Sequence, residues 1–102
     1  MKLDIKYGIN AVRAVIKATG KTPSEIFQNA FKGDDFEMGT ILIWAGLLHQ
    51  DKNLTIEQVG DWLDTEEGLY IKAVTEAVKK FMEAFNRSFA VNEKNKSGTE
   101  KN

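Results

Sequence analysis

The sequence predicts an all-α fold: a small five-helix domain with a short extended N-terminal segment and a disordered C-terminal tail. Three observations carry that prediction. Apolar residues recur mostly three and four positions apart rather than two. One Pro and eight Gly interrupt 102 residues, and breakers that sparse leave room for helices. Hydrophobic residues make up 42% of the chain, enough to build one small core. Typical domains run to about 150 residues, so the chain is read as one helical domain, residues 1–90, and a tail, residues 91–102.

The N-terminal run Lys2-Leu3-Asp4-Ile5-Lys6-Tyr7 alternates polar and apolar residues, as a half-buried strand would. A lone strand needs a partner, either another subunit's strand or none if the run is an extended lead-in. The lead-in is favoured, because isolated strands are unstable. The first helix is expected over residues 8–19, with Ile9, Val12, Val15 and Ile16 on one face. Gly20 is available to end it in the left-handed conformation.

Thr22-Pro23-Ser24-Glu25 opens the second helix. Thr22 is the N-cap, Pro23 stands where a missing N–H costs nothing, and Glu25 closes a capping box. Lys32-Gly33-Asp34-Asp35 ends that helix and supplies acids to cap the next. The third helix, residues 35–49, is apolar around nearly its whole circumference: Phe36, Met38, Ile41, Leu42, Ile43, Trp44, Leu47 and Leu48. It reads as the central element, enclosed by its neighbours.

Thr55 caps the fourth helix with Gln58 closing a second capping box, and Leu54 and Val59 occupy the positions of a hydrophobic staple. That helix ends near Asp64. Thr65 is then the expected cap of the fifth, with Glu66 and Glu67 in its first turn complementing the helix dipole. Its apolar line is Ile71, Val74, Val78, Phe81 and Phe85, a heptad-like seam supported by Ala73, Ala77, Met82 and Phe89. Residues 91–102 are polar and lack aromatics, a composition that stays disordered in isolation.

Fourteen basic and fifteen acidic residues leave a net charge of -1, so the basic excess of a nucleic-acid binder is missing. The near-zero total conceals an uneven distribution. Residues 1–21 hold five basic against one acidic residue, whereas residues 22–65 hold two against eight. A domain polarised in this way favours oriented, head-to-tail association through complementary patches. Arg13, Lys17 and Lys21 are accordingly candidate contact residues; the alternative is an ordinary solvated face.

The third and fourth helices could pass for a helix-turn-helix, but between Gln50 and Asp64 Lys52 faces four acids, and phosphates would repel a recognition helix of that sign. No nucleic-acid partner is expected. No membrane partner is expected either. The most apolar run, residues 40–48, is about half the length a bilayer span needs, and the N-terminus does not read as a signal peptide.

Chemistry is sparse. There is no Cys, hence no disulfide framework and no thiolate nucleophile or ligand. His49 is the one imidazole; at a helix C-terminus near Asp51, the dipole gives it a structural reading ahead of general-base catalysis. Asp51-Lys52-Asn53-Leu54-Thr55 begins like a calcium loop, but Ile56 stands where Gly is needed and Trp62 where a bidentate Glu is needed. No Gly-rich phosphate loop occurs. Catalytic residues, metal and cofactor are all expected to be none. What remains is surface for protein partners, with Phe81, Phe85 and Phe89 of the fifth helix as the candidates. Together with Met82 they either exceed what a small core can hold or complete it, with Phe81 and Val78 packing inward and Phe85 and Phe89, near the helix end, less enclosed.

Several stretches together carry a resemblance. They are Lys6-Tyr7-Gly8-Ile9-Asn10-Ala11, Val15-Ile16-Lys17-Ala18-Thr19-Gly20-Lys21, Ile41-Leu42-Ile43-Trp44-Ala45-Gly46-Leu47-Leu48-His49 and Leu54-Thr55-Ile56-Glu57-Gln58-Val59-Gly60-Asp61-Trp62-Leu63-Asp64. In order and spacing the chain resembles the tail assembly chaperones of long-tailed bacteriophages and prophages, over about residues 6–85. Many members of that family have a longer two-stranded segment ahead of the Tyr-Gly turn, where this chain has Met1 to Lys6.

The resemblance implies a non-enzymatic protein of the bacterial host cytoplasm, absent from the mature virion. Such a protein keeps the long helical tape measure protein soluble and recruits tail tube protein subunits. Phe81, Phe85 and Phe89 would shield apolar stripes of the tape measure protein while the dipolar ends of neighbouring copies line up in self-association. The family often also makes a longer, frameshifted product, and residues 91–102 are where an extension would attach. The competing reading is a small cytoplasmic regulatory adaptor whose acidic middle segment docks a basic partner.

Overall fold

The computed structural model describes residues 1–30 and 35–89. Among them are five helices and no strand: α1 (Ile9–Thr19), α2 (Pro23–Ala30), α3 (Phe36–Leu47), α4 (Ile56–Leu63) and α5 (Leu69–Phe89). The expected tail, and the run of residues 31–34 expected to end α2, lie outside the described residues.

Local chemistry sets most helix ends. Gly20 ends α1 with φ 69°, and its N–H donates to the Ile16 carbonyl. At α2 the Thr22 N–H donates to Glu25 Oε1 at 2.8 Å and the Glu25 N–H donates back to Thr22 Oγ1 at 3.3 Å, completing a capping box. Asp35 caps α3 by accepting from the Met38 N–H at 3.0 Å. Thr55 and Gln58 form the second capping box, on α4.

The core is organised around α3, which buries Met38, Ile41, Leu42, Ile43, Ala45 and Leu47. The other four helices all pack on it. Gly39 of α3 lies against Tyr70 and Val74 of α5, so that a Cβ on Gly39 would overlap the Tyr70 hydroxyl. Seven residues further along, Gly46 lies against Ile5 and Tyr7, and Tyr7 stacks edge-on to Phe81 of α5 at 5.3 Å. The two long helices therefore run in the same direction. Close approach is possible because α5 buries small residues, Ala73, Ala77 and Ala84, where it meets the rest of the core.

The N-terminal run is an extended lead-in, as its isolation suggested. It pairs with no strand among the described residues and is laid along the C-terminal half of α3. Ile5 and Tyr7 are buried beneath it, and the Lys6 N–H donates to the Gly46 carbonyl at 2.9 Å. Gln50 Nε2 donates to the Lys2 carbonyl at 2.8 Å, and His49 Nε2 lies 2.6 Å from the Asp4 carbonyl. Arg87 of α5 closes the far side by donating to the Tyr7 carbonyl at 3.0 Å.

Four expectations are corrected. Ile9 is 59% exposed and Phe36 is 63% exposed, so neither belongs to the core. Each sits at the first turn of its helix, beyond the reach of the neighbours that cover the middle. Thr65 does not cap α5. Its N–H and hydroxyl both bond the Trp62 carbonyl, which closes α4, and α5 starts at Leu69 after Gly68 with φ 79°. The apolar seam of α5 is also displaced. Its buried face is Leu69, Ala73, Ala77, Phe81 and Ala84, while Ile71 is 61% exposed and Val74, Val78 and Phe85 are half-buried. The 3–4 periodicity identifies the helix and misplaces its inward face, because close packing against α3 selects small side chains.

Two glycine substitutions separate packing from propensity. An added Cβ on Gly46 would stand 2.5 Å from Ile5 Cγ2, so Gly46→Ala is expected to destabilise the fold by about 1–3 kcal/mol in urea unfolding. Gly60 lies inside α4, and a methyl group there would have nothing within 4 Å, so Gly60→Ala is expected to stabilise by about 0.5–1 kcal/mol. Hydrogen bonds from Thr22, backbone first, hold the Glu25 carboxyl below its usual range. The folded-state value being the lower one, this contribution is complete above the ordinary carboxylate range and is lost as pH falls through the lowered value. Amide exchange at Thr22 is expected to accelerate over that interval, beyond its intrinsic pH dependence.

Candidate functional site

The fold places the candidate residues in three different settings. Phe81 is 1% exposed and packed on Tyr7. It is therefore a core residue and not a contact for a partner, which corrects its assignment. Phe85 is half-buried on the flank of α5, and Phe89 ends that helix with its side chain outside the described residues. Arg13 and Lys17 lie on α1 and are both exposed, and Lys21 is half-buried.

On α5 the exposed and half-buried apolar residues form one line. Ile71, Val74, Val78, Met82 and Phe85 follow spacings of three, four, four and three, which keeps them on one flank of a 3.6-residue helix. Ile71 is 61% and Met82 37% exposed. From Ile71 to Phe85 the line extends about 21 Å at 1.5 Å per residue. At its N-terminal end Phe36 of α3 packs against Tyr70, with ring centroids 5.0 Å apart. Burial, and secondarily the charge of Asp35, raises the Tyr70 hydroxyl above its ordinary pKa. Phe85 of this line is a sequence candidate, with Met82 weighed beside it; the signal for the others is the 3–4 spacing itself, which reads equally well as core.

Two of the clefts among the described residues flank the bundle and are shallow. One of about 210 Å³ is lined by Lys21, Asp35, Glu37, Met38 and Ile41 together with Ala18 and Thr19. The other, about 290 Å³, lies where the N-terminal run meets α5, among Ile5, Lys6, Tyr7, Lys80, Glu83 and Arg87. Among the described residues no group of three His, Asp or Glu is placed to hold a metal ion. The Asp51 carboxylate accepts from the Asn53 N–H at 2.9 Å, a local turn of the kind Asp side chains favour. His49 is engaged with the Asp4 carbonyl and so tethers the N-terminal run. Tyr7, with its hydroxyl donating to the Leu42 carbonyl at 2.5 Å, is held protonated by burial, far above its usual range.

The charge asymmetry of the sequence becomes two helix faces. Arg13 and Lys17 point to solvent from α1; Glu57, Asp61 and Asp64 point to solvent from α4 and its end. Arg13 bonds the neutral Asn10 side chain at 3.1 Å. Among the described residues the ion pair within 4.0 Å is Lys80–Glu76 on α5, at 3.7 Å, so neither face is neutralised by the other. No helix among the described residues is long and apolar enough to cross a membrane.

Truncation separates core from flank. Phe81→Ala is expected to cost about 3–5 kcal/mol of stability, whereas Met82→Ala, at an exposed position, is expected to stay within about 0.5–1 kcal/mol by the same urea titration. Compared with known protein families, curated proteins and solved structures, the chain matches none.

Proposed function

We propose that the protein is a tail assembly chaperone of a long-tailed bacteriophage or prophage, binding the tape measure protein and bringing tail tube subunits to it. The observation that supports this reading is the apolar flank of α5. A line about 21 Å long, with a near-heptad repeat and one end broadened by Phe36, suits a helix laid lengthwise rather than a small molecule. A long helical tape measure presents such a surface repeatedly. Covering its apolar stripe would prevent aggregation until tube subunits replace the chaperone.

Val74 and Val78 pack on the edge of the core, while Ile71 and Met82 are exposed beside the buried face of Ala73, Ala77 and Phe81. Binding through it requires no unfolding. The same reading places the protein in the host cytoplasm, outside the finished particle, with no catalytic role and no cofactor. Resemblance to the chaperone family in the order and spacing of its segments is the second support.

Ile71→Asp combined with Met82→Asp tests the reading. Both positions are exposed, so the melting curve of the variant is expected to remain close to the parent. Co-purification with the co-expressed tape measure protein is expected to fall at least about tenfold, the loss of about 1.4 kcal/mol of binding. Undiminished co-purification of a folded variant would remove the flank as the contact surface.

A further inference from the structure

The outward faces of α1 and α4 are opposite in charge and matched in spacing. On α1, Ile9, Arg13 and Lys17 succeed one another at intervals of four, one turn each, and all three are exposed. The face is thus an apolar knob followed by two cations. On α4, Glu57 and Asp61 are also four apart, with Asp64 one turn beyond. Both pairs repeat at about 6 Å along their axes, so the cations of one helix can meet the carboxylates of the other in register.

Gly60 adds an independent observation. It interrupts an eight-residue helix at a cost to helix propensity, yet among the described residues no atom occupies the place of its missing side chain. Gly39 and Gly46, by contrast, are each filled by a neighbour. The notch at Gly60 is open to the outside, beside the carboxylates, and a helix carrying a knob could approach there closely. Ile9 is such a knob, 59% exposed and one turn ahead of Arg13.

We propose that copies of this chain associate head to tail, the α1 face of one copy docking on the α4 face of the next. Among the helices α4 packs chiefly on α3, while α1 packs on α3 and α5. Among the described residues no ion pair joins the two faces within one molecule. The contact is heterologous, leaves one face of each kind open, and extends copy by copy into a ring or filament. It leaves the apolar flank of α5 uncovered and does not depend on the identity of whatever binds there.

Sedimentation of the full-length protein tests this at about 0.01 M and about 0.15 M salt, over which the screening length falls from about 30 Å to about 8 Å. The expected result is an average mass that exceeds the monomer and climbs with concentration at low salt, with association weakened at least about fivefold at the higher salt. Arg13→Glu with Lys17→Glu is expected to abolish association, as is Glu57→Lys with Asp61→Lys in a separate protein. Mixing the two is expected to restore it, since their unaltered faces complement each other and so do their reversed ones. Gly60→Ala is expected to weaken association about tenfold while leaving the helix intact. A wild-type protein that stays monomeric at low salt, reversed variants that assemble like the parent, a mixture that remains monomeric, or Gly60→Ala associating normally would each overturn the proposed interface.

Discussion

Tyr7 joins parts of the chain that would otherwise share few contacts. Its ring lies against Gly46 of α3 on one side and edge-on to Phe81 of α5 on the other, and its hydroxyl donates to the Leu42 carbonyl. Its own carbonyl receives the Arg87 guanidinium. The parallel placement of α3 and α5 depends on this wedge, because two parallel helices have no short connection to hold them in register. With Tyr7 in place the hydrophobic gain of burying Phe81, of order 1.5–3 kcal/mol, is realised on the same side chain that fixes the helix spacing.

This arrangement explains which apolar residues are left at the surface. A ring inserted near the C-terminal halves of α3 and α5 lets the alanines of α5 turn inward along the remaining contact. Larger residues of the same helix are then displaced to its flank, where Ile71 and Met82 meet solvent and Val74, Val78 and Phe85 are partly covered. The proposed binding surface is thus a consequence of how the core closes. The proposed helical partner would cover the exposed part of this line. The charged faces are separate from this flank, so partner binding and copy-to-copy contact need not compete.

Much of the local structure was legible because it is written in short-range chemistry. Thr22 with Glu25, Asp35 ahead of Met38, and Thr55 with Gln58 are caps whose geometry needs only three or four residues. Gly20 ends α1 for a reason equally local. Signals that are ambiguous at short range mislead. Thr65 has the chemistry of a cap, but the turn through Gly68 gives its hydroxyl to the Trp62 carbonyl instead. Ile9 and Phe36 have the right periodicity for burial, yet both are mostly exposed, Phe36 despite its contact with Tyr70.

By itself, then, the amino-acid sequence determined the helical class, the helix order, most helix ends, the central place of α3 and the separation of basic from acidic segments. Each follows from periodicity, capping or charge along a contiguous stretch. Only the tertiary structure decided which side of α5 faces inward, that Phe81 is a core residue rather than a contact, and that Gly60 faces open space where Gly39 and Gly46 do not. Those outcomes depend on which residues distant in sequence come to lie against one another. A 3–4 repeat describes a helix with an apolar stripe; it cannot say whether small neighbours of that stripe will pack more closely than the stripe itself.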